Sequence, residues 1–413
     1  MTKPPMLTAQ EALDHLLSHA KAVDQSEDVP VQAALGRVLA QNVNSLVDVP
    51  PLDNTSMDGY AVRSLDVATP GVVLQIAQRI PAGSVGVKLE SGTAARIFTG
   101  APVPEGADAV VMQEDCTLVE GSHNAVKINV VPTAGQWIRR RGEDLTASKT
   151  ALSAGTFLRP QELGVAASAG LTHLRVKRRI RVAAFFTGDE LALPGEPLKP
   201  GGIYNSNRDT LLACLRSLGC EPTDLGIVPD RLDATREALR KASKEHDLIL
   251  TSGGVSVGEE DHIKPAVTAE GRLDLWQIAI KPGKPLAFGA VRKSEHPQDG
   301  EAWFMGLPGN PVSSFVTFLL FVRPFILKLQ GREVRPNPSY MMRADFEWLK
   351  ADRRNEFLRV KLNQQGGLDL FPNQSSGVLT SASWGDGLVD CPPGQPIHRG
   401  DLVKYIPFDT LLT

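Results

Sequence analysis

Hydrophobic spacing divides the chain into stretches of different texture. Over residues 8–20, Leu13, Leu16 and Leu17 recur at helical spacing on one face. Thr8, with Glu11 three residues later, has the pattern of a capping box, so a helix is expected to begin there. Over residues 47–136 the period shortens. Runs such as GVVLQIA, AARIFTG, DAVVMQE and NAVKINVV alternate with Gly/Pro turns, which predicts a small all-β unit. Helical character returns over 159–171, so the β unit reads as an insertion into an elongated helical N-terminal domain.

Residues 177–328 alternate more regularly. RIRVAAFF leads into TGDEL, and a helix is expected over 208–218. A strand ending in DLGIVPD follows, then a helix over 233–244 and the strand DLILTSGG. Further strands end at AIKPGKP and WFMGLPGNP, and the last feeds the helix VSSFVTFLLF. Strands alternating with helices imply a mostly parallel sheet with right-handed crossovers. Beyond residue 329, short strands such as EFLRVKL, GLDLFP and DLVKYIPF alternate with turns and predict a small β-barrel. The expected fold is therefore multidomain α/β and β. It has an elongated N-terminal domain (1–50 plus 138–176), an inserted β-rich domain (51–137), an α/β domain (177–328) and a C-terminal barrel (329–413).

Length agrees with this division, because 413 residues at roughly 100–200 per domain call for several domains. A net charge of -3 argues against a general nucleic-acid binder, so any anion site must be built locally. Cys116, Cys214, Cys220 and Cys391 form no CxxC pair, which supports neither a zinc site nor a disulfide framework and fits a reducing cytoplasm. MTKPPMLTAQEALDHLL has neither the long apolar core nor the cleavage site of a signal peptide. The most apolar stretch, residues 315–322, is expected to be a buried helix stopped by Arg323-Pro324, since a membrane span needs about twenty residues. A soluble protein is expected.

In an open parallel sheet, ligands bind beyond the carboxyl ends of the strands. The unusual loops of the α/β segment fall at such ends: Thr187 to Glu190, Pro229-Asp230, Thr251 to Asp261, Lys281 to Pro285 and Gly306 to Pro311. TSGGVSVGEED offers Gly253, Gly254 and Gly258, with Ser252 and Ser256 between them. It suits either a tight turn or an anion cradle of amide N–H groups and hydroxyls. Glu259, Glu260 and Asp261 read as a solvated helix start or as carboxylates beside a divalent cation. Lys281 and Lys284, on a loop stiffened by Pro282 and Pro285, are either surface lysines or a dianion site. Asn310 is placed at a helix N-cap with Pro311 at N1 and Ser313 nearby, which makes a capped and anion-receptive helix start. The Asp58-Gly59 pair reads as a turn, and Arg139-Arg140-Arg141 as a mixed-charge surface loop.

DNTSMDGYAVR, IFTGAPVPEGADAVVMQE, RRRGEDL, FFTGDEL, TSGGVSVGEEDHIK, AIKPGKPLAFG and GLPGNPVSS occur in this order along most of the chain. Together they resemble the molybdopterin molybdenumtransferase (MoeA) family, which includes the E-domain of gephyrin. The resemblance implies an elongated homodimer that inserts molybdate into adenylyl-molybdopterin and releases AMP. It implies a site between the α/β domain of one subunit and the β insertion of the other. Ser252, Gly253, Gly254, Ser256 and Gly258 would hold the adenylate phosphate, with Asp58, Thr99 and Asp144 approaching from the insertion. Glu190, Asp230 and Asp261 would order the nucleotide or Mg2+, with Glu190 and Asp261 as metal ligands. Lys281, Lys284, Pro285 and Ser313 match molybdate-binding positions, and RRNEFLR and NQSSG add Arg354 and Ser376. Gln277 departs from the family, which often carries a basic residue there. A neutral amide loses about half the strength of a charge-assisted hydrogen bond. Two alternatives accompany this reading: adenylylation of molybdopterin, since the α/β domain resembles that enzyme too, and a gephyrin-like scaffold or pterin carrier.

Overall fold

The computed structural model describes residues 6–122, 124–254 and 262–412. The chain forms two compact units, Met1–Glu27 with Lys177–Thr413, and Asp28–Val176.

The first unit is organised by a six-stranded sheet. Its strands run Glu221–Val228, Arg181–Thr187, Leu248–Ser252, Glu301–Leu307, Pro285–Arg292, Gly271–Gln277 in spatial order. The first four are mutually parallel and the last two pairings are antiparallel, so the sheet is mixed. Strand residues alternate between faces. Val182, Ala184 and Phe186 point into a core shared with helices Ser206–Ser217 and Ala9–His19, while Ala183 and Phe185 face helices Leu232–Glu245 and Ile263–Glu270. Both faces are covered, which is why these strands read as unbroken apolar runs.

Two expectations change here. The Ala9–His19 helix starts with the predicted Thr8–Glu11 capping box, but it packs on the α/β core and not in an N-terminal helical domain. Its Ala12 and Leu16 are fully buried, and its His19 ring meets Phe288 edge-on at 5.5 Å. The apolar stretch does not stop at Arg323-Pro324 either. Helix runs from Pro311 to Leu329, is long and apolar enough by composition to cross a membrane (19 residues, mean hydropathy 1.7), and is 94% buried inside the protein. A π-helical segment, Phe318–Val322, precedes the proline. Pro324 lacks an N–H and would clash with a carbonyl one turn back, and the wider turn accommodates it.

A five-stranded barrel completes this unit. Strand Asn355–Leu362 pairs with both Gly367–Leu370 and Gly387–Cys391, and the circuit closes through Leu402–Pro407 and Tyr340–Ala344. Ile280–Lys281 adds a short parallel pairing to this barrel, with Ile280 opposite Asn355 and Lys281 opposite Glu356. The IKPGKP segment is thereby tied to the barrel by backbone hydrogen bonds.

The second unit contains a six-stranded sheet in the order Ala109–Met112, Gly59–Val62, Thr93–Ile97, Val72–Ile80, Ala125–Ile128, Cys116–Leu118. Among its described residues there is one α-helix, Pro160–Ser168, and short ribbons take the place of the expected helices. Gly59 does not form a turn but opens a strand. A side chain there would lie 1.9 Å from the Val111 carbonyl oxygen, so the close strand approach requires glycine.

Candidate functional site

The carboxyl ends of the parallel strands open onto a cavity of about 690 Å³ within the first unit. Strand Arg181–Thr187 delivers Thr187, Gly188 and Glu190 to it, and Glu221–Val228 is followed by Asp230. Leu248–Ser252 leads to Gly253-Gly254, and Glu301–Leu307 to Pro308-Gly309-Asn310 and Ser313. Lys281 to Pro285 form a further wall, and the barrel closes the cavity with Arg354 and Gln374-Ser375-Ser376. One space thus gathers Glu190, Asp230, Gly253, Gly254, Lys281, Lys284, Pro285, Ser313, Arg354 and Ser376. Ser256, Gly258 and Asp261 lie outside the described residues.

Glycine is needed where the chain turns away from Ser252. Gly253 and Gly254 have φ of 99° and 62°, and a Cβ on Gly253 would sit 2.5 Å from the Thr187 carbonyl oxygen. Thr187 Oγ1 lies 3.3 and 3.1 Å from the points where Cβ atoms of Gly253 and Gly254 would be. It is buried and has no hydrogen-bond partner among the described residues. A buried hydroxyl without a partner is costly unless a ligand or water completes it. Ser252, in contrast, is not part of the cavity wall. Its hydroxyl donates to the Pro308 carbonyl at 3.0 Å and accepts from Asn207 Nδ2 at 2.8 Å, which ties the Pro308-Gly309 turn to the strand. Asn310 caps the Pro311 helix and Pro311 occupies the first turn, as expected, but the Asn310 side chain makes no capping hydrogen bond.

Among the described residues, two of the three cations lining the cavity, Lys281 and Arg354, are paired with carboxylates. Lys281 Nζ lies 2.8 Å from Glu356 Oε1 and 3.5 Å from Asp352 Oδ2. Glu356 is 1% exposed, and its other oxygen accepts from Trp348 Nε1 at 2.8 Å. Asp352 takes two hydrogen bonds from the Arg354 guanidinium, at 3.1 and 2.9 Å, and one from its backbone N–H. Those guanidinium bonds, more than any other cause, hold the Asp352 carboxyl far below the usual carboxylate range and raise Arg354 in turn. Lys284 makes no ion pair among the described residues. Asp352, Glu356, Gln374 and Asn207 were not singled out by sequence reasoning, although Glu356 stands inside the quoted string RRNEFLR.

Two carboxylates, Glu190 and Asp230, also line the cavity. Among the described residues no three His, Cys, Asp or Glu side chains cluster as metal ligands. Two carboxylates nevertheless suit magnesium, which commonly keeps several waters and shares its ligation with substrate phosphates.

In the second unit, Asp58 Oδ1 accepts from both the backbone N–H and the hydroxyl of Thr99, each at 2.8 Å. These two bonds, the backbone one first, lower the Asp58 pKa. Asp144 is exposed, and its backbone N–H donates to the Val49 carbonyl. The arginine run is less loosely solvated than its charge pattern suggests. Arg141 pairs with Asp48 at 2.5 Å and Arg140 with Asp53 at 2.6 Å.

A mixed sheet whose carboxyl edge faces a polar cavity, closed opposite by a barrel, defines a multidomain α/β protein with a small-molecule cleft. Three family profiles match successive parts of the chain. They are described as "MoeA N-terminal region (domain I and II)" over residues 7–170, "Probable molybdopterin binding domain" over 183–328 and "MoeA C-terminal region (domain IV)" over 342–408. A protein of Haemophilus influenzae named molybdopterin molybdenumtransferase is 40% identical over 369 residues, 88% of this chain and 89% of that protein. One of the same name from Nostoc sp. is 36% identical over 405 residues, covering 95% and 91%. The crystal structure of a molybdopterin biosynthesis moeA protein from Pyrococcus horikoshii OT3 superposes with a TM-score of 0.83 at 28% identity, covering 98% of this chain and 100% of that one. The chain belongs to the MoeA family of molybdopterin molybdenumtransferases.

Proposed function

We propose that this chain completes the molybdenum cofactor, inserting molybdate into adenylyl-molybdopterin with release of AMP. The observation that carries the reading is the division of the cavity. One wall has the Gly253-Gly254 turn with the Thr187 hydroxyl, which has no partner among the described residues, suited to a phosphate. The other has Lys281, Lys284, Ser313, Arg354 and Ser376, suited to a compact oxyanion. Amide N–H groups and the Thr187 hydroxyl orient the phosphate that departs with AMP, and the fixed donors there stabilise its developing charge. Lysine and arginine donors hold molybdate against the dithiolene, whose two sulfurs replace two molybdate oxygens that leave as water, while water adds to the anhydride phosphorus as AMP departs. The catalytic contribution is positioning, without a covalent enzyme intermediate. Glu190 and Asp230, with Asp261, would hold Mg2+, which when bound supplies further positive charge to that phosphate.

The reading includes a cytoplasmic homodimer in which Asp58, Thr99 and Asp144 of one copy serve the cavity of the other. Mixing Asp58→Ala and Lys281→Ala proteins should then restore activity that neither has alone. The decisive assay is AMP release from adenylyl-molybdopterin and magnesium, with and without molybdate. Molybdate-dependent release with active cofactor formed supports the proposal. Consumption of ATP with adenylate transferred to the pterin would move the activity to the preceding step, and tight binding without release would point to a pterin carrier or scaffold.

A further inference from the structure

Arg359 lies in the middle of the barrel strand Asn355–Leu362 and is 1% exposed, among the largest fully buried side chains of the protein. Its guanidinium donates to Ser381 Oγ at 3.1 Å, to the Phe357 carbonyl at 3.2 Å and to the Ser375 carbonyl at 3.3 Å. All three acceptors are neutral, and no carboxylate among the described residues forms an ion pair with it. Burial pushes its pKa down to about 10, against a smaller upward pull from Glu356, so it stays cationic at neutral pH. The Glu356 carboxylate is itself committed to Lys281. Burying a guanidinium without a carboxylate in contact is unfavourable, and an apolar side chain would fill the same barrel position without that cost.

The surroundings say what the charge serves. Gln374 clamps the Arg359 backbone, accepting from its N–H at 2.9 Å and donating to its carbonyl at 3.0 Å. Gln374, Ser375 and Ser376 are the part of the cavity wall that the barrel contributes beside Arg354. The Ser375 carbonyl and the Ser376 N–H are two ends of one peptide group. A cation at the carbonyl end polarises that peptide and makes the N–H a stronger donor. The Ser376 N–H donates to none of the described residues, while the Ser376 carbonyl accepts from the Val312 N–H and fixes the loop to the helix start. Lys281 and Arg354 are already matched by Glu356 and Asp352, which among the described cations lining the cavity leaves Lys284 without an ion pair, so a second unmatched cation behind this wall adds to its preference for an anion.

Resting on the reading of this cavity as an oxyanion site, we propose that Arg359 is its positioning residue. From behind the wall it holds and polarises the Ser375-Ser376 peptide, so that the Ser376 N–H receives the oxyanion. Arg359 itself touches no ligand.

The test is calorimetric titration of the purified full-length protein with molybdate alone, for wild type, Arg359→Met, Arg359→Lys and, as a control that removes a direct contact, Lys281→Ala. Thermal melting checks that each variant is folded. Arg359→Met should bind molybdate at least tenfold more weakly. Arg359→Lys keeps the charge but loses part of the hydrogen bonding, and should fall between wild type and Arg359→Met. Binding by Arg359→Met within twofold of wild type overturns the proposal, and so does Arg359→Lys matching either extreme. If Arg359→Met does not fold, the comparison of Arg359→Lys with wild type decides alone, and equal affinity overturns the proposal. Failure of the wild type to bind molybdate would instead sink the oxyanion-site reading on which this inference rests.

Discussion

The pairing of Lys281 with Glu356 can be tested as an energy. At 2.8 Å the two charges attract by about 6 kcal/mol with an effective dielectric near 20. Solvent reduces this, because the Lys281 side chain is 39% exposed while that of Glu356 is 2% exposed, so a coupling of about 1–3 kcal/mol is expected. The asymmetry in burial fixes the order of the single variants. Lys281→Met strands a buried carboxylate that retains, among the described residues, its Trp348 and Asp352 N–H donors, and should cost about 2–4 kcal/mol. Glu356→Gln keeps an acceptor for Trp348 and frees a lysine that can turn to water, so it should cost about 1–2 kcal/mol. The double variant should be more stable than the sum of the singles predicts. Urea unfolding of the four proteins, without ligand, measures the cycle. Additivity within about 0.5 kcal/mol, or a larger loss for Glu356→Gln than for Lys281→Met, would refute the reasoning.

Asp58→Ala removes the acceptor of both Thr99 bonds from a partly exposed position; it should abolish molybdate-dependent AMP release while lowering the urea midpoint only slightly. In the barrel, hydrogen bonds from Arg343 first and Asn363 next hold Asp345 down to about 2, below its ordinary 3.8. A depressed carboxylate stabilises above its unfolded pKa and loses that contribution as pH falls through its folded one. Melting temperatures between pH 5 and pH 2 should therefore fall less steeply in Asp345→Asn than in wild type, and parallel curves would contradict this. Leu16→Ala should cost about 3 kcal/mol by chemical denaturation, because Leu16 is fully buried where its helix docks on the α/β core. A loss under about 1 kcal/mol would mean that the helix is not held there.

Where local chemistry and tertiary structure agree, the fold was legible. The Thr8–Glu11 capping box, the Asn310-Pro311 helix start and the apolar run RVAAFFT each encode their own element, and all three form as read. The antiparallel edge of the sheet was also encoded but went unread. A parallel crossover needs a dozen or more residues, and fewer separate Gln277 from Pro285 or Arg292 from Glu301, so these strands could only return antiparallel. The placement of the first helix was not legible. Amphipathicity says that Leu16 must be buried, not that Phe288 and the Pro311–Leu329 helix lie next to it.

The same distinction governs the site. Gly253, Gly254, Lys281 and Lys284 stand at strand ends where the topology brings them together, so the cavity could be located from the chain alone. Its charge could not. Lys281 meets Glu356 through a β pairing between segments far apart in sequence, and Arg354 meets Asp352 across one barrel turn. No spacing rule links a lysine in a Pro-Gly loop to a glutamate in a distant strand. A wall that reads as cationic in the sequence is largely self-neutralised in the fold. Its preference for an oxyanion must then come from Lys284, which the motifs do single out and which makes no ion pair among the described residues, and from an arrangement no motif shows, the Ser376 amide with the buried Arg359 behind it. Anion affinity here should therefore follow the integrity of the barrel as closely as the lysines themselves, because the barrel supplies both the carboxylates that restrain those lysines and the guanidinium that is left unmatched.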